Sequence, residues 1–257
     1  MKKIIPFIFC LTAGLYSFEQ TIKQYKDQAK RLISQAKYKE AFVLYEKAAT
    51  QGDPEAEFIL SQLYKNGVGV AANDSLRYHW CLLAARQQYP EAQEEMSMLT
   101  AYKPDNHKES FEWTKKCAET GFPPCMQTLA VYYMDGVGVE KNPDSMLIWT
   151  ERQALSPRVS FDRDHGATIA SARLKLATLY YKDDNIKQDL FKSYVWLLLF
   201  NEEFKDQTGM WERDKAIEIV EKVEIALNAQ QKAAAEKEAA QLLKKPLRNL
   251  SNLKTIY

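Results

Sequence analysis

The residues of this 257-residue chain that could do chemistry are few: three histidines, four cysteines and two closely spaced glycine pairs. His79, His107 and His165 are scattered, and none is spaced from a cysteine or second histidine as a zinc site requires. His79 adjoins Trp80 and reads as the flank of a helix. His165 lies with Asp162, Arg163 and Asp164 in an irregular stretch from Ser156 to Gly166, which makes it the one histidine to carry as a binding candidate. The glycine pairs, Gly67/Gly69 in NGVGV and Gly136/Gly138 in DGVGV, invite comparison with a phosphate loop. A phosphate loop follows a strand and brings a Lys-Ser/Thr or a ribose-binding acid at set distance. These pairs instead follow helical patterns and read as tight turns that need positive φ. Neither G-x-S-x-G nor H-E-x-x-H occurs in the sequence. A serine or cysteine nucleophile needs a positioned base, and no such pairing is apparent. The expectation is a noncatalytic chain with no cofactor and no metal.

Spacing explains the remaining residues. Tyr45, Trp80, Trp113, Trp149 and Trp196 stand at intervals of 35, 33, 36 and 47 residues. A period in the mid-thirties marks one supersecondary unit stacked several times, each burying its apolar face against its neighbours. NGVGV recurs as DGVGV 69 residues on, and each ends ten residues before a tryptophan. Seven residues before each tryptophan stands Asn73, Asn106, Asn142 or Asp189. All four are good N-caps, because their side-chain oxygens satisfy free amides of the first turn. A second helix precedes each turn: Ala56, Leu60, Leu63 and Tyr64 share one stripe at helical spacing, echoed by Leu129, Tyr132 and Tyr133 and by Leu176, Leu179 and Tyr180. Each repeat is thus a helix A, a turn and a helix B that carries the tryptophan. Gly67, Gly69, Gly136, Gly138, Trp80, Trp113, Trp149 and Trp196 are structural on this reading. The spacing from Trp149 to Trp196 exceeds the one before it by eleven residues, which fall in the Ser156–Gly166 stretch, and this insertion reads equally as a binding loop or a linker.

The segments EAEFILSQLYKNGVGVAANDSLRYHWCLLAA (Glu55–Ala85) and CMQTLAVYYMDGVGVEKNPDSMLIW (Cys125–Trp149) resemble the Sel1-like repeats, relatives of the tetratricopeptide repeat with a longer turn. The resemblance runs from Tyr38 to Lys245 and implies an all-α fold, a right-handed α-solenoid of stacked helix pairs over 18–245 with a 246–257 tail. Departures are visible: the repeats ending at Trp113 and Trp196 lack the GVG turn, and Arg77 and Tyr78 stand where the family usually has small residues. Cys117 and Cys125 occupy small-residue positions on either side of one interrepeat turn, matching Ala84 and Ala92 of the preceding unit. Their C-x7-C pattern resembles the secreted cysteine-rich subgroup, and that resemblance implies a Cys117–Cys125 disulfide with Cys81 left as a buried thiol. It also brings in an alternative function, weak β-lactam or cell-wall hydrolysis.

Lys2 and Lys3 precede an apolar run from Ile4 to Ala13, and Gly14 and Ser17 follow, so residues 1–17 read as a secretory signal. The run is far shorter than the roughly 20 residues needed to span a bilayer. Without Lys2 and Lys3 the basic count falls from 35 to 33 against 34 acidic residues, with no basic stripe of the kind nucleic acid requires. The solenoid implied by the resemblance would present a concave face lined by A helices, suited to extended peptides or other proteins. The function expected is an exported scaffold or adaptor, periplasmic in a Gram-negative bacterium, or in a specific version an immunity-type protein that neutralises a toxin. Glu57, Gln62 and Gln127, off the core stripe of their A helices, are the candidate contact residues, with His165 in the insertion.

Overall fold

The computed structural model describes residues 5–102, 105–157, 163–202 and 210–248, with the side chains of 5–18, 163–168 and 210–211 outside the description. Among these residues the secondary structure is entirely helical, an all-α helical repeat, in two compact units that divide at Thr100. The first holds α1 (Ile5–Ser34), α2 (Tyr38–Ala49), α3 (Pro54–Asn66), α4 (Asp74–Arg86) and α5 (Pro90–Ala101). The second holds α6 (His107–Glu119), α7 (Pro123–Asp135), α8 (Pro143–Ala154), α9 (Arg163–Tyr181), α10 (Leu190–Asn201), α11 (Met210–Ala226) and α12 (Ala229–Leu243). The expected signal segment begins outside the described residues, and α1 is one helix from Ile5 onward.

In the first unit α2 packs on α1, α3 on α2, and α4 on α3. Ala41, Ala48, Ala49 and Ala56 are buried to 2% exposure or less, and these small side chains let Tyr45, Leu60 and Tyr64 fill the space between helices. α5 is attached by polar contacts: the Cys81 thiol donates to the Ala92 carbonyl at 3.4 Å, and Gln93 Nε2 donates to the Ala85 carbonyl at 3.2 Å. The second unit is more apolar. Every residue of α10 from Ser193 to Asn201 is buried, and α9, α11 and α12 pack against it. α12 buries Ala235 and Ala239 in the core, packs Leu243 against it and keeps a polar outer face, as a closing helix should.

The turns explain the repeat. Gly67 and Gly136 end α3 and α7 in the left-handed region, at φ 66° and 78°. The second glycine of each pair does something different. A Cβ on Gly69 would stand 2.7 Å from the Tyr38 carbonyl carbon at the start of α2, and one on Gly138 would stand 2.5 Å from that of His107 at the start of α6. Each GVG turn is therefore pressed against the first residue of the preceding helix B.

The N-cap then closes the turn. The backbone amide of Asn73 donates to the Tyr64 carbonyl at 3.1 Å, that of Asn142 to Tyr133 at 2.9 Å, and that of Asp189 to Tyr180 at 2.8 Å. Each side-chain oxygen then accepts from the amide three residues on, at 3.0, 2.8 and 3.0 Å. The repeat ending at Trp196, which lacks GVG, keeps the same nine-residue closure. It supports its turn with side chains: Asp183 accepts from the Asn185 amide, and Gln188 donates to the Tyr181 carbonyl. Ile186, buried to 8%, stands where Val70 and Val139 stand in the other two. Asn106 departs from expectation. At φ −100° and ψ 17° its side chain caps no amide and instead donates to Glu109.

The tryptophans are graded rather than uniformly buried. Trp196 is 5% and Trp149 9% exposed, whereas Trp80 and Trp113 are only half-buried. Arg173, 3% exposed on α9, donates from Nε to the Ala154 carbonyl and from Nη1 to the Leu199 carbonyl, both at 2.9 Å. One guanidinium thereby satisfies carbonyls at the C-terminal ends of α8 and α10, where the helix dipoles favour a cation.

Candidate interaction surface

The A helices place the sequence-predicted contact residues in three different environments. Gln127 is exposed on α7. Gln62 is half-buried on α3, where its Nε2 donates to Ser61 Oγ at 3.4 Å. Glu57 overturns the expectation that it leaves the core stripe: it is 4% exposed, and its Oε2 accepts from Gln87 Nε2 at 2.8 Å. The residue after α4 reaches back over α3 and covers it. Burial pushes the Glu57 carboxyl up, and the Gln87 hydrogen bond offsets this only in part. The side chain of His165 lies outside the described residues. The backbone from Arg163 is helical, so the end of the stretch expected to be irregular belongs to α9.

Two ion-pair clusters bridge A helices of the first unit. Lys26 on α1 meets Asp53 at 2.9 Å and Glu55 at 2.8 Å, with Lys30 on Glu55 at 3.0 Å. Asp53 also caps α3 by accepting from the Ala56 amide. Farther along, Glu95 of α5 takes Lys65 of α3 at 3.0 Å and a short contact from Arg77 of α4. Burial alone would raise the Glu95 carboxyl, but the hydrogen bonds from Arg77 and Lys65 outweigh it and hold it below its ordinary range. Arg77, flagged in the sequence as oversized for its place, is thus one of the residues that tie α5 to the helices before it, with Lys65.

The cysteines follow the expected pattern. Cys117 and Cys125 form a disulfide with a Cα separation of 5.7 Å, and Cys81 is a buried free thiol. Burial pushes that thiol up to about 12, so it is not a nucleophile at neutral pH. Among the described residues no cluster of three His, Cys, Asp or Glu side chains could hold a metal. No helix among them is long and apolar enough to cross a membrane.

In the second unit a groove of about 580 Å³ runs between the turn at Thr120–Gly121 and the C-terminal part of α8, with Met126 of α7 in its lining. The composition of the groove gave no sequence signal, because its residues come from three separate segments.

A family model described as the Sel1 repeat matches residues 33–53, 54–89, 123–149 and 170–200. The chain is a Sel1-repeat protein. The fold is similar to that of a Sel1 repeat protein from Oxalobacter formigenes, at a TM-score of 0.58 with 23% identity over 79% of each chain. It is also similar to a protective antigen of uropathogenic Escherichia coli with an SLR fold, at a TM-score of 0.57 with 22% identity, over 85% of this chain and 44% of that one. Among curated sequences it is 28% identical over 135 residues to the chitin synthase regulator SKT5 of Saccharomyces cerevisiae, which is 48% of this chain and 18% of that protein. The chain spans less than a quarter of the length of the curated relatives it matches. The Sel1 repeat is a protein-interaction scaffold, and that general role applies to this chain.

Proposed function

We propose that this protein is an exported, noncatalytic adaptor that holds another protein or an extended peptide on the outward faces of its A helices. The observation that carries the reading is on α7. Gln127 and Met134 are both exposed and stand seven residues apart, two turns along one face, while Met126, Leu129 and Ala130 turn into the core. Met134 is 42% exposed, and a flexible thioether beside an amide suits adaptable contact with a polypeptide.

Two features support export to an oxidising compartment, the periplasm of a Gram-negative bacterium. One is the Lys2–Lys3 pair ahead of a short apolar run. The other is the Cys117–Cys125 disulfide, a bond that persists outside the cytosol.

The test is affinity copurification from the native envelope with the wild-type chain and with a Gln127→Arg/Met134→Asp variant. Loss of a reproducible partner with unchanged far-UV circular dichroism supports the reading, and a toxin as the captured partner would specify it as immunity-type. A partner retained in full by the variant would overturn it. So would turnover of a chromogenic β-lactam by the purified protein.

A further inference from the structure

The groove in the second unit carries a chemistry that the A-helix reading does not use. Ile148 on its wall is 49% exposed, Leu155 is half-buried and Met126 is 6% exposed, so much of the lining is aliphatic. Arg152 stands at the same wall. Its guanidinium lies 4.6 Å from the centre of the Trp149 ring, and among the described residues no carboxylate or carbonyl accepts from it. Its neighbour Glu151 also lines the groove, with Oε1 engaged by the Tyr180 hydroxyl, which donates to it at 3.0 Å. Stacking on an indole fixes the plane of a guanidinium while leaving its N–H edge available, and that edge matches a carboxylate in bidentate fashion.

The repeat supplies an internal control. At an offset of 69 residues, Trp149 corresponds to Trp80, Met126 to Glu57, Ser156 to Gln87, Ile148 to His79 and Arg152 to Leu83. In the first unit the corresponding locus therefore holds a carboxylate already satisfied by Gln87 at 2.8 Å, and it has no arginine. At this locus the arginine is present in the second unit and replaced by Leu83 in the first. The Cys117–Cys125 bond joins α6 to α7 on either side of Thr120–Gly121, which line the groove.

We propose that this groove docks a short linear segment of a partner protein in which an aliphatic side chain is followed closely by Asp or Glu. The aliphatic group lies against Ile148, Leu155 and Met126, and the carboxylate takes the N–H edge of Arg152. The site lies on α8 and the interrepeat turn, so it stands or falls separately from the exposed face of α7.

The experiment is display of a random peptide library against the full chain with its disulfide intact. Enriched peptides are then synthesised and titrated, with isothermal titration calorimetry as the readout. Enrichment of an aliphatic–acidic pattern is expected. Affinity should fall roughly tenfold or more in Arg152→Gln, the scale of a charge-assisted hydrogen bond. Replacing the peptide's Asp by Asn should cause a similar loss, and Gln127→Arg should change nothing. Ile148→Ser, at a half-exposed position, should weaken binding without unfolding the unit. No enrichment, enrichment of basic or uncharged peptides, or an acidic motif indifferent to Arg152→Gln would each overturn the proposal.

Discussion

Gly138 lies against His107 so closely that a Cβ there would stand 2.5 Å from the His107 carbonyl carbon and 3.0 Å from the Lys108 amide nitrogen. Gly121, in the disulfide-bearing turn between α6 and α7 and likewise positive in φ at 85°, has nothing within 4 Å of the same position. The two glycines separate backbone strain from collision. Gly121→Ala should cost about 1 to 2 kcal/mol, the penalty of a left-handed non-glycine residue. Gly138→Ala must also push the turn away from α6 and should cost roughly 3 kcal/mol or more. Thermal unfolding of the two variants checks this, and equal losses would show that the turn can move aside freely.

The two buried carboxyls of the first unit should respond to acid in opposite senses. Glu95 is held below the ordinary carboxyl value of 4.5, so its contribution is present above that value and lost as pH falls through its lower folded pKa. Glu57 is raised above 4.5, so ionising it at neutral pH opposes folding, and stability is regained as pH falls through its higher folded pKa. Glu57→Gln should raise Tm at pH 7, with a gain that shrinks toward pH 4. Glu95→Gln should lower Tm at pH 7, with a loss that shrinks in stronger acid. Tm measured across pH for both variants tests the signs.

Arg77 invites a paired test. Arg77→Met should destabilise, because Glu95 keeps only Lys65, whose side chain is 39% exposed. Adding Glu95→Leu should recover most of the loss, since apolar replacement of a buried ion pair is often neutral or better. In the second unit Met146 occupies the place of Arg77 and is 4% exposed, so that side of the pair is already apolar there. A double variant less stable than the single one would show that the charges do more than anchor α5.

Replacing Cys117 and Cys125 with alanine restores the pair found at the matching places of the first unit, Ala48 and Ala56, both fully buried. Packing is then conserved, and the loss should be mainly that of the crosslink, about 2 to 3 kcal/mol for so short a loop. Thiol titration of denatured, unreduced protein gives a second reading. One free thiol corresponds to Cys81 with Cys10 removed by processing, and two correspond to retention of Cys10. Three or more would show the bridge absent in solution.

The periodic features were the legible ones. The edge-to-face pair Phe42–Tyr64, at 5.5 Å and 88°, recurs 69 residues later as Phe111–Tyr133 at 5.5 Å and 87°, and the sequence already carried that register in its turns and caps. What local pattern hid was contact from another segment. Glu57 follows Ala56 on a helix whose stripe looked complete without it, and only Gln87, thirty residues on, makes its burial tolerable. Asn106 has the right residue type but not the extended backbone that would aim its oxygen at the first turn. Trp80 and Trp113 occupy the same register as Trp149 yet keep more solvent, because burial depends on the neighbour each ring meets. The Met126–Arg152 groove needs three segments brought together, and no single stretch announces it.

The nine-residue closure from Tyr180 to Asp189 has a bearing on how such chains can be rebuilt. Three turns of different composition end on the same amide-to-carbonyl bond, two with paired glycines and one with Asp183, Ile186 and Gln188 in their stead. What the helices on either side require is the span and the cap, together with a glycine wherever the turn is pressed against the preceding helix, as Gly69 is against Tyr38. The Tyr181–Gln188 sequence should therefore be transplantable into the place between Tyr64 and Asn73 once Asn185, which falls on the Gly69 position, is replaced by glycine, and a repeat of this kind could then be re-surfaced at its turn without redesigning the helices that flank it.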